Sequence, residues 1–138
     1  RPFHAVEPYR LEMGAKLAVD DARDLYAFWS DKLARAIAPA GSNTTIVNLA
    51  SVEYAKAVLP HLAGDAMAVT CLFGEGIRNG KPIQRSTASK KARGSMVRRM
   101  AENKLEDASE LTAFNIGYRH IPELSDKNTL VFMNAQAQ

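Results

Sequence analysis

Eight basic residues, Lys81, Arg85, Lys90, Lys91, Arg93, Arg98, Arg99 and Lys104, fall in one stretch of the chain that holds a single acid, Glu102. That stretch carries a net +7, while the remaining residues hold ten bases and fourteen acids, a net −4 hidden beneath an overall +3. A local field of that sign attracts polyanions. Nucleic acid is therefore the first partner expected, with Lys81, Arg85, Lys90, Lys91, Arg93, Arg98 and Arg99 neutralising backbone phosphates without reading bases.

Four of these cations differ in their placement. The residues around them read as a helix over 90–105, with Ala92, Met96, Val97, Met100 and Ala101 on an apolar arc. At 100° per residue, Lys91 and Arg98 point to the polar side, and Arg98 can pair with Glu102 at i, i+4. Arg93 falls inside the apolar arc, where an unpaired guanidinium is costly. Either it reaches past the core into a cleft, or a carboxylate meets it inside. Lys90 and Lys91 would occupy the first turn, where cations oppose the helix dipole, and a bound phosphate would reverse that penalty.

Asn48, Ser51, Glu53 and Tyr54 are the polar residues that could surround a pocket with Arg93 as its anion clamp. That alternative makes the chain an enzyme acting on a nucleotide or nucleobase. No GxSxG surrounds Ser51, and N-capping of a following helix accounts for it, so no catalytic residue is assigned. His4, His61 and His120 lack metal-ligand spacing and Cys71 is the single cysteine, so neither a metal site nor a cofactor is expected. Val69, Leu72 and Phe73 around Cys71 suit a buried, reduced thiol.

The elements that must position these residues follow from periodicity and turn chemistry. Asp20 or Asp21 can cap a helix whose apolar residues Leu25, Phe28, Trp29, Leu33, Ala36 and Ile37 run until Pro39, and that helix should dock on a sheet. Residues 45–49 form a strand, 52–59 a short helix after Ser51, and 66–73 a second strand, together a small parallel crossover. Asn79-Gly80 suits a type I′ turn and predicts a hairpin joining 69–78 to 81–87. Gly74, Gly76 and Gly80 miss the GxGxxG spacing, and no helix opens directly after them. Asp107 and Glu110 spell a capping box for a short helix reaching Phe114, and residues 129–133 close the fold as a strand. The fold class is mixed α/β of the α+β kind: a mixed sheet with a β-hairpin, flanked by helices.

With 138 residues, 46% hydrophobic and 24% charged, the chain has the size and composition of one globular domain without an internal boundary, or of the C-terminal portion of a larger one. It holds no apolar run of membrane-spanning length and no recognisable signal peptide, so a cytoplasmic protein with no membrane partner is expected. It opens at Arg1 and enters a loop-like stretch from Pro2 to Pro8, which reads as the start of a fragment.

The order of motifs resembles a known family. Pro8-Tyr9-Arg10-Leu11-Glu12-Met13-Gly14, Leu25-Tyr26-Ala27-Phe28-Trp29, Asn48-Leu49-Ala50-Ser51 with Glu53-Tyr54, Lys90-Lys91-Ala92-Arg93-Gly94 and Leu111-Thr112-Ala113-Phe114-Asn115 are similar to the peroxide-stress protein YaaA family, over roughly the C-terminal half of a member. The resemblance implies a cytoplasmic protein of oxidative-stress defence that binds DNA non-specifically through a basic cleft and is linked to lowering free iron. It also implies a larger fold with a helix-hairpin-helix element and a missing N-terminal half as partner. No Gly-containing hairpin of that pattern separates two helices here, and the connection after Leu105 is acidic, with Glu106 and Asp107. That element is expected in the other half. A third reading makes the chain a structural half whose basic helix packs on acidic surface elsewhere.

Overall fold

The structure, a computed structural model, describes residues 5, 11–19 and 21–136. Apart from Ala5, the loop-like stretch from Pro2 to Pro8 lies outside the described residues, as does Asp20.

Four strands build the central sheet: β1 (Thr45–Asn48), β2 (Met67–Gly74), β5 (Tyr118–His120) and β6 (Thr129–Asn134), in the order β1-β2-β6-β5. β1 and β6 run parallel to β2, and β5 runs antiparallel to β6, so the sheet is mixed as expected. The register is staggered. β1 pairs with residues 67–70 of β2, whereas β6 pairs with residues 70–74, so Thr70 is the position that both neighbours share. The connection from β1 to β2 is the predicted parallel crossover, made by helix α3 (Val52–Ala55) and a 3-10 turn at Leu59–His61.

Helix α4 (Ser86–Asn103) packs on β2 and buries Ser89, Ala92 and Met96. With the 3-10 segment Ala108–Ala113 it covers one sheet face, closing a core of Cys71, Phe73, Ala92, Met96, Leu111, Phe114, Tyr118 and Phe132. Phe73 is fully buried and meets Phe114 and Tyr118 edge-on, with ring centroids 5.8 and 5.4 Å away, while it stacks on Phe132 at 5.3 Å. Such ring pairs add to the area that they bury. The 3-10 segment starts with the predicted capping box: Asp107 accepts from the Ser109 N–H at 2.7 Å, and Glu110 accepts from the Asp107 N–H at 3.3 Å.

Four expectations need correction. The helix through residues 25–37 is two helices, α1 (Leu25–Trp29) and α2 (Lys32–Ile37), broken at Ser30, whose φ is 46°. Asp24 caps α1, its carboxylate accepting from the Ala27 N–H at 2.8 Å, while Asp21 sits in a turn with φ 59°. α2 packs chiefly on the Leu59–His61 turn. The helix after Ser51 spans four residues, and the Ser51 side chain makes no capping bond.

The hairpin forms at Asn79-Gly80, both with positive φ (51° and 72°), but its strands β3 (Ile77–Arg78) and β4 (Lys81–Pro82) are two residues each. The physical reason is competition: residues 69–74 are spent on the central sheet, and Ser86 and Thr87 enter α4. α4 itself begins a turn before the expected start, because Ser89 turns its hydroxyl inward and donates to the Phe73 C=O at 3.2 Å instead of capping. β5, with two polar residues in three, carried no strand signal.

A small network joins the end of β2 to β5 and β6. The Tyr118 hydroxyl donates to Glu75, and the Asn134 side-chain amide donates to the other Glu75 oxygen at 2.7 Å. The backbone of Glu75 also donates to the Ile83 C=O at 2.8 Å, which holds the hairpin's return strand. Gly74 must stay bare, since an added Cβ would lie 2.6 Å from the Met133 sulfur and 2.7 Å from Pro82 Cβ.

The hydrogen bonds from Tyr118, then Asn134, lower the Glu75 carboxyl below its usual value. Burial, then the bond to Glu75, pushes the Tyr118 hydroxyl up to about 12. A lowered acid stabilises the fold above its unfolded pKa, and that contribution is lost as pH falls through the folded value. A raised phenol stabilises below its unfolded value of about 10 and loses this as pH climbs toward the folded one. Urea midpoints should therefore decline at both acidic and strongly alkaline pH. Glu75→Gln should flatten the acid limb; an acid limb identical to the parent's would show that the network does not titrate with folding. Phe73→Ala should cost about 3–5 kcal/mol by urea unfolding, because it empties the centre of the aromatic cluster.

Candidate functional site

The stagger leaves an open place at the carboxyl end of β2, where β1 has stopped and β2 runs on past Thr70. Asn48 makes that stop. Its Oδ1 accepts the Ala50 N–H at 3.1 Å, turning the chain out of the sheet, and its Nδ2 donates to Oγ1 of Thr70, its partner in register, at 3.1 Å. Asn48 is buried, and both ends of its amide are satisfied.

The result is a cavity of about 350 Å³. Thr70, Cys71 and Leu72 of β2 border it, with Val52, Ala55, Lys56, Leu59 and Pro60 from the crossover on one side and Gln84 and Arg93 on the other. No carboxylate among the described residues lines it. Arg93 reaches it from the shoulder of α4, half-buried, with Nη2 donating to Oε1 of Gln84 at 3.3 Å. Its Nε is buried without an acceptor, and no ion pair of Arg93 occurs among the described residues. Of the two readings of Arg93, the geometry is that of the cleft. Cys71 is buried, and burial pushes its thiol up to about 12, so it stays protonated at neutral pH.

Of the polar residues expected around Arg93, the structure brings in Asn48 alone. Glu53 and Tyr54 instead fasten the N-terminal segment to α3. Glu53 Oε1 accepts the Met13 N–H at 3.0 Å, the Glu53 C=O accepts the Tyr26 hydroxyl at 2.9 Å, and the Tyr54 hydroxyl donates to the Leu11 C=O at 3.0 Å. Ser51 offers its backbone C=O to the Ala55 N–H at 2.9 Å and does not line the cavity. Sequence reasoning missed Thr70, Gln84 and Lys56. Thr70 carries a signal only once the register sets it opposite Asn48, and Gln84 carries none.

The other cations surround α4 and its entrance. Lys81 on β4, Arg85 at the helix N-cap, and Lys90 and Lys91 are exposed and form no ion pair among the described residues. Lys90 and Lys91 are the fifth and sixth residues of α4, not its first turn, so the dipole argument for a phosphate between them does not apply. Arg98 is paired with Glu102 at 2.7 Å, as its i, i+4 spacing predicted. Arg93 and Arg99 lie on opposite shoulders of the buried stripe, roughly 120° apart around the helix, and cannot face one cleft together. Arg99 also keeps a buried Nε without an acceptor.

A second cavity, of about 430 Å³, occupies the opposite end of the stagger, beside Met67 and Val69, where β6 has not yet begun. Glu106, Asp107 and Asp126 border it, but Asp107 and Asp126 are engaged in local turns, accepting from Ser109 and Asn128 N–H groups at 2.7 Å. No cluster of three metal-ligating side chains and no helix long and apolar enough to cross a membrane occurs among the described residues.

Replacing Asn48 by Ala would leave the Ala50 N–H and the Thr70 hydroxyl without their partner. The expected cost is about 1–3 kcal/mol in urea unfolding. A change under a few tenths would mean that the end of β1 is held by something else.

Comparison with known proteins agrees with the resemblance carried by the motif order. Residues 1–124 match the family described as peroxide stress protein YaaA. A UPF0246 protein of Desulfitobacterium hafniense is 45% identical over 139 residues, which take in 100% of this chain and 54% of the relative. UPF0246 proteins of Pediococcus pentosaceus and Limosilactobacillus reuteri are 44% and 43% identical, each over 96% of this chain and 52% of their own length. The chain thus spans about half the length of the curated relatives it matches. It belongs to the peroxide stress protein YaaA family.

Proposed function

We propose that the chain is the DNA-contacting part of a cytoplasmic peroxide-stress protein, which limits oxidative damage by holding DNA through its phosphates and by helping to keep free iron low. The observation that carries this reading is the group of exposed cations Lys81, Arg85, Lys90 and Lys91, gathered along β4 and the first two turns of α4, which form no ion pair among the described residues. Exposed cations outside ion pairs are available to displace counterions from a phosphate backbone, which gives affinity without sequence preference. Arg98 contributes less, because Glu102 already neutralises it.

The cavity favours a second reading, an enzyme acting on a nucleotide or nucleobase, because it brings Asn48 and Arg93 to one concave site.

Salt-titrated binding to duplex and single-stranded DNA tests the first reading, run on this chain and on a version extended to the length of its relatives. Changing Lys90 and Lys91 together to Ala should weaken binding and lower the slope of log affinity against log salt by about 2 on duplex DNA. Unchanged affinity and slope would remove these residues from the interface. Binding by the longer version alone would place the decisive contacts outside this chain.

A further inference from the structure

We propose that the cavity at the carboxyl end of β2 is a binding site for a compact organic anion with an apolar ring body, its anionic group held by Arg93 and Lys56. The inference rests on the second reading above and deepens it by naming what the site selects. Arg93 and Lys56 bring two positive charges to the lining, and no Asp or Glu among the described residues brings a negative one. Asn48 has already committed both ends of its amide. The Thr70 oxygen accepts from Asn48, which leaves its own O–H to donate, and Gln84 has given its oxygen to Arg93, which leaves its NH₂. What the side chains of the walls offer a ligand is therefore almost entirely donors.

Arg93 supplies the second argument. A half-buried guanidinium without a carboxylate, with one nitrogen desolvated and another held by a long bond to a neutral amide, is an incomplete arrangement. Such a group is stabilised by an anion that enters beside it. The rest of the lining sets the body of the ligand. Val52, Ala55, Leu59, Pro60 and Leu72 are apolar, and a volume of about 350 Å³ is at the small end of ligand pockets, enough for one ring system and its anion. Position agrees, since parallel sheets bind ligands outside the carboxyl ends of their strands.

Calorimetric titration of this chain with AMP, adenosine, benzoate and inorganic phosphate tests the assignment. AMP or benzoate should bind at least ten-fold more tightly than adenosine, which lacks the anion, and than phosphate, which lacks the body. Binding of AMP alone identifies the anion as a phosphate ester, and binding of benzoate alone as a carboxylate. Arg93→Gln should weaken the organic anion at least ten-fold. Lys56→Gln, an exposed change that leaves the fold intact, should weaken it several-fold, and it decides the matter if Arg93→Gln does not fold. Adenosine binding as tightly as AMP, no binding by either organic anion, or two folded variants that bind like the parent would each overturn the proposal. Release of adenine or phosphate from AMP is followed in parallel: binding without turnover removes the enzyme reading and leaves the site.

Discussion

Thr70 is where the two parallel neighbours of β2 meet. β1 holds residues 67–70 and β6 holds residues 70–74, so each half of the central strand leans on a different partner. A parallel sheet normally buries both faces beneath helices and aligns its strands across much of their length. Here the alignment is given up. The offset spares the backbone a fully paired ladder and opens two cavities diagonally across the sheet, one where β1 ends and one where β6 has yet to begin.

The offset persists because polar contacts fix it that a shifted register would lose. Midway along β2 the Asn48 amide bridges its own chain and Thr70, a bond that exists only when the two stand opposite each other. Just past the carboxyl end of β2, Glu75 gathers the Tyr118 hydroxyl, the Asn134 amide and the hairpin backbone into one knot. Between them the aromatic cluster around Phe73 supplies the burial that these contacts direct but do not provide. Sliding a strand by one residue would turn its core side chains toward the opposite face.

Much of this could be read from local chemistry, and the limits are instructive. Asn79-Gly80 and the Asp107–Glu110 capping box formed as expected, because both are contests between near neighbours that the sequence itself decides. The angular position of Arg93 was legible only in part: the expected arc put it among the core residues, but Val97 is exposed and the buried stripe of Ser89, Ala92 and Met96 leaves Arg93 on its shoulder. Ser89 was not. A serine before a helical run reads as a cap, but a buried carbonyl of β2 claimed its hydroxyl and moved the helix start upstream. Glu53 and Tyr54 misled for a related reason: polar side chains beside a potential pocket can equally well fasten a distant segment, and Leu11 and Met13 are forty or more residues away. Register between parallel strands has no short-range signature, so the stagger and the cavity it opens had to come from the structure.

Helix α4 runs from the cationic end of the stagger to the acidic one, with Ser86 near the carboxyl end of β2 and Leu105 and Glu106 near Thr45. The positive end of its backbone dipole therefore lies beside the hairpin and Arg85, and the negative end beside Glu106 and Asp107. Side-chain charge and backbone dipole point the same way along the molecule. An approaching polyanion would exert a torque as well as a pull, turning the protein hairpin-first before contact. Orientation of that kind raises the fraction of productive encounters, and added salt would remove it.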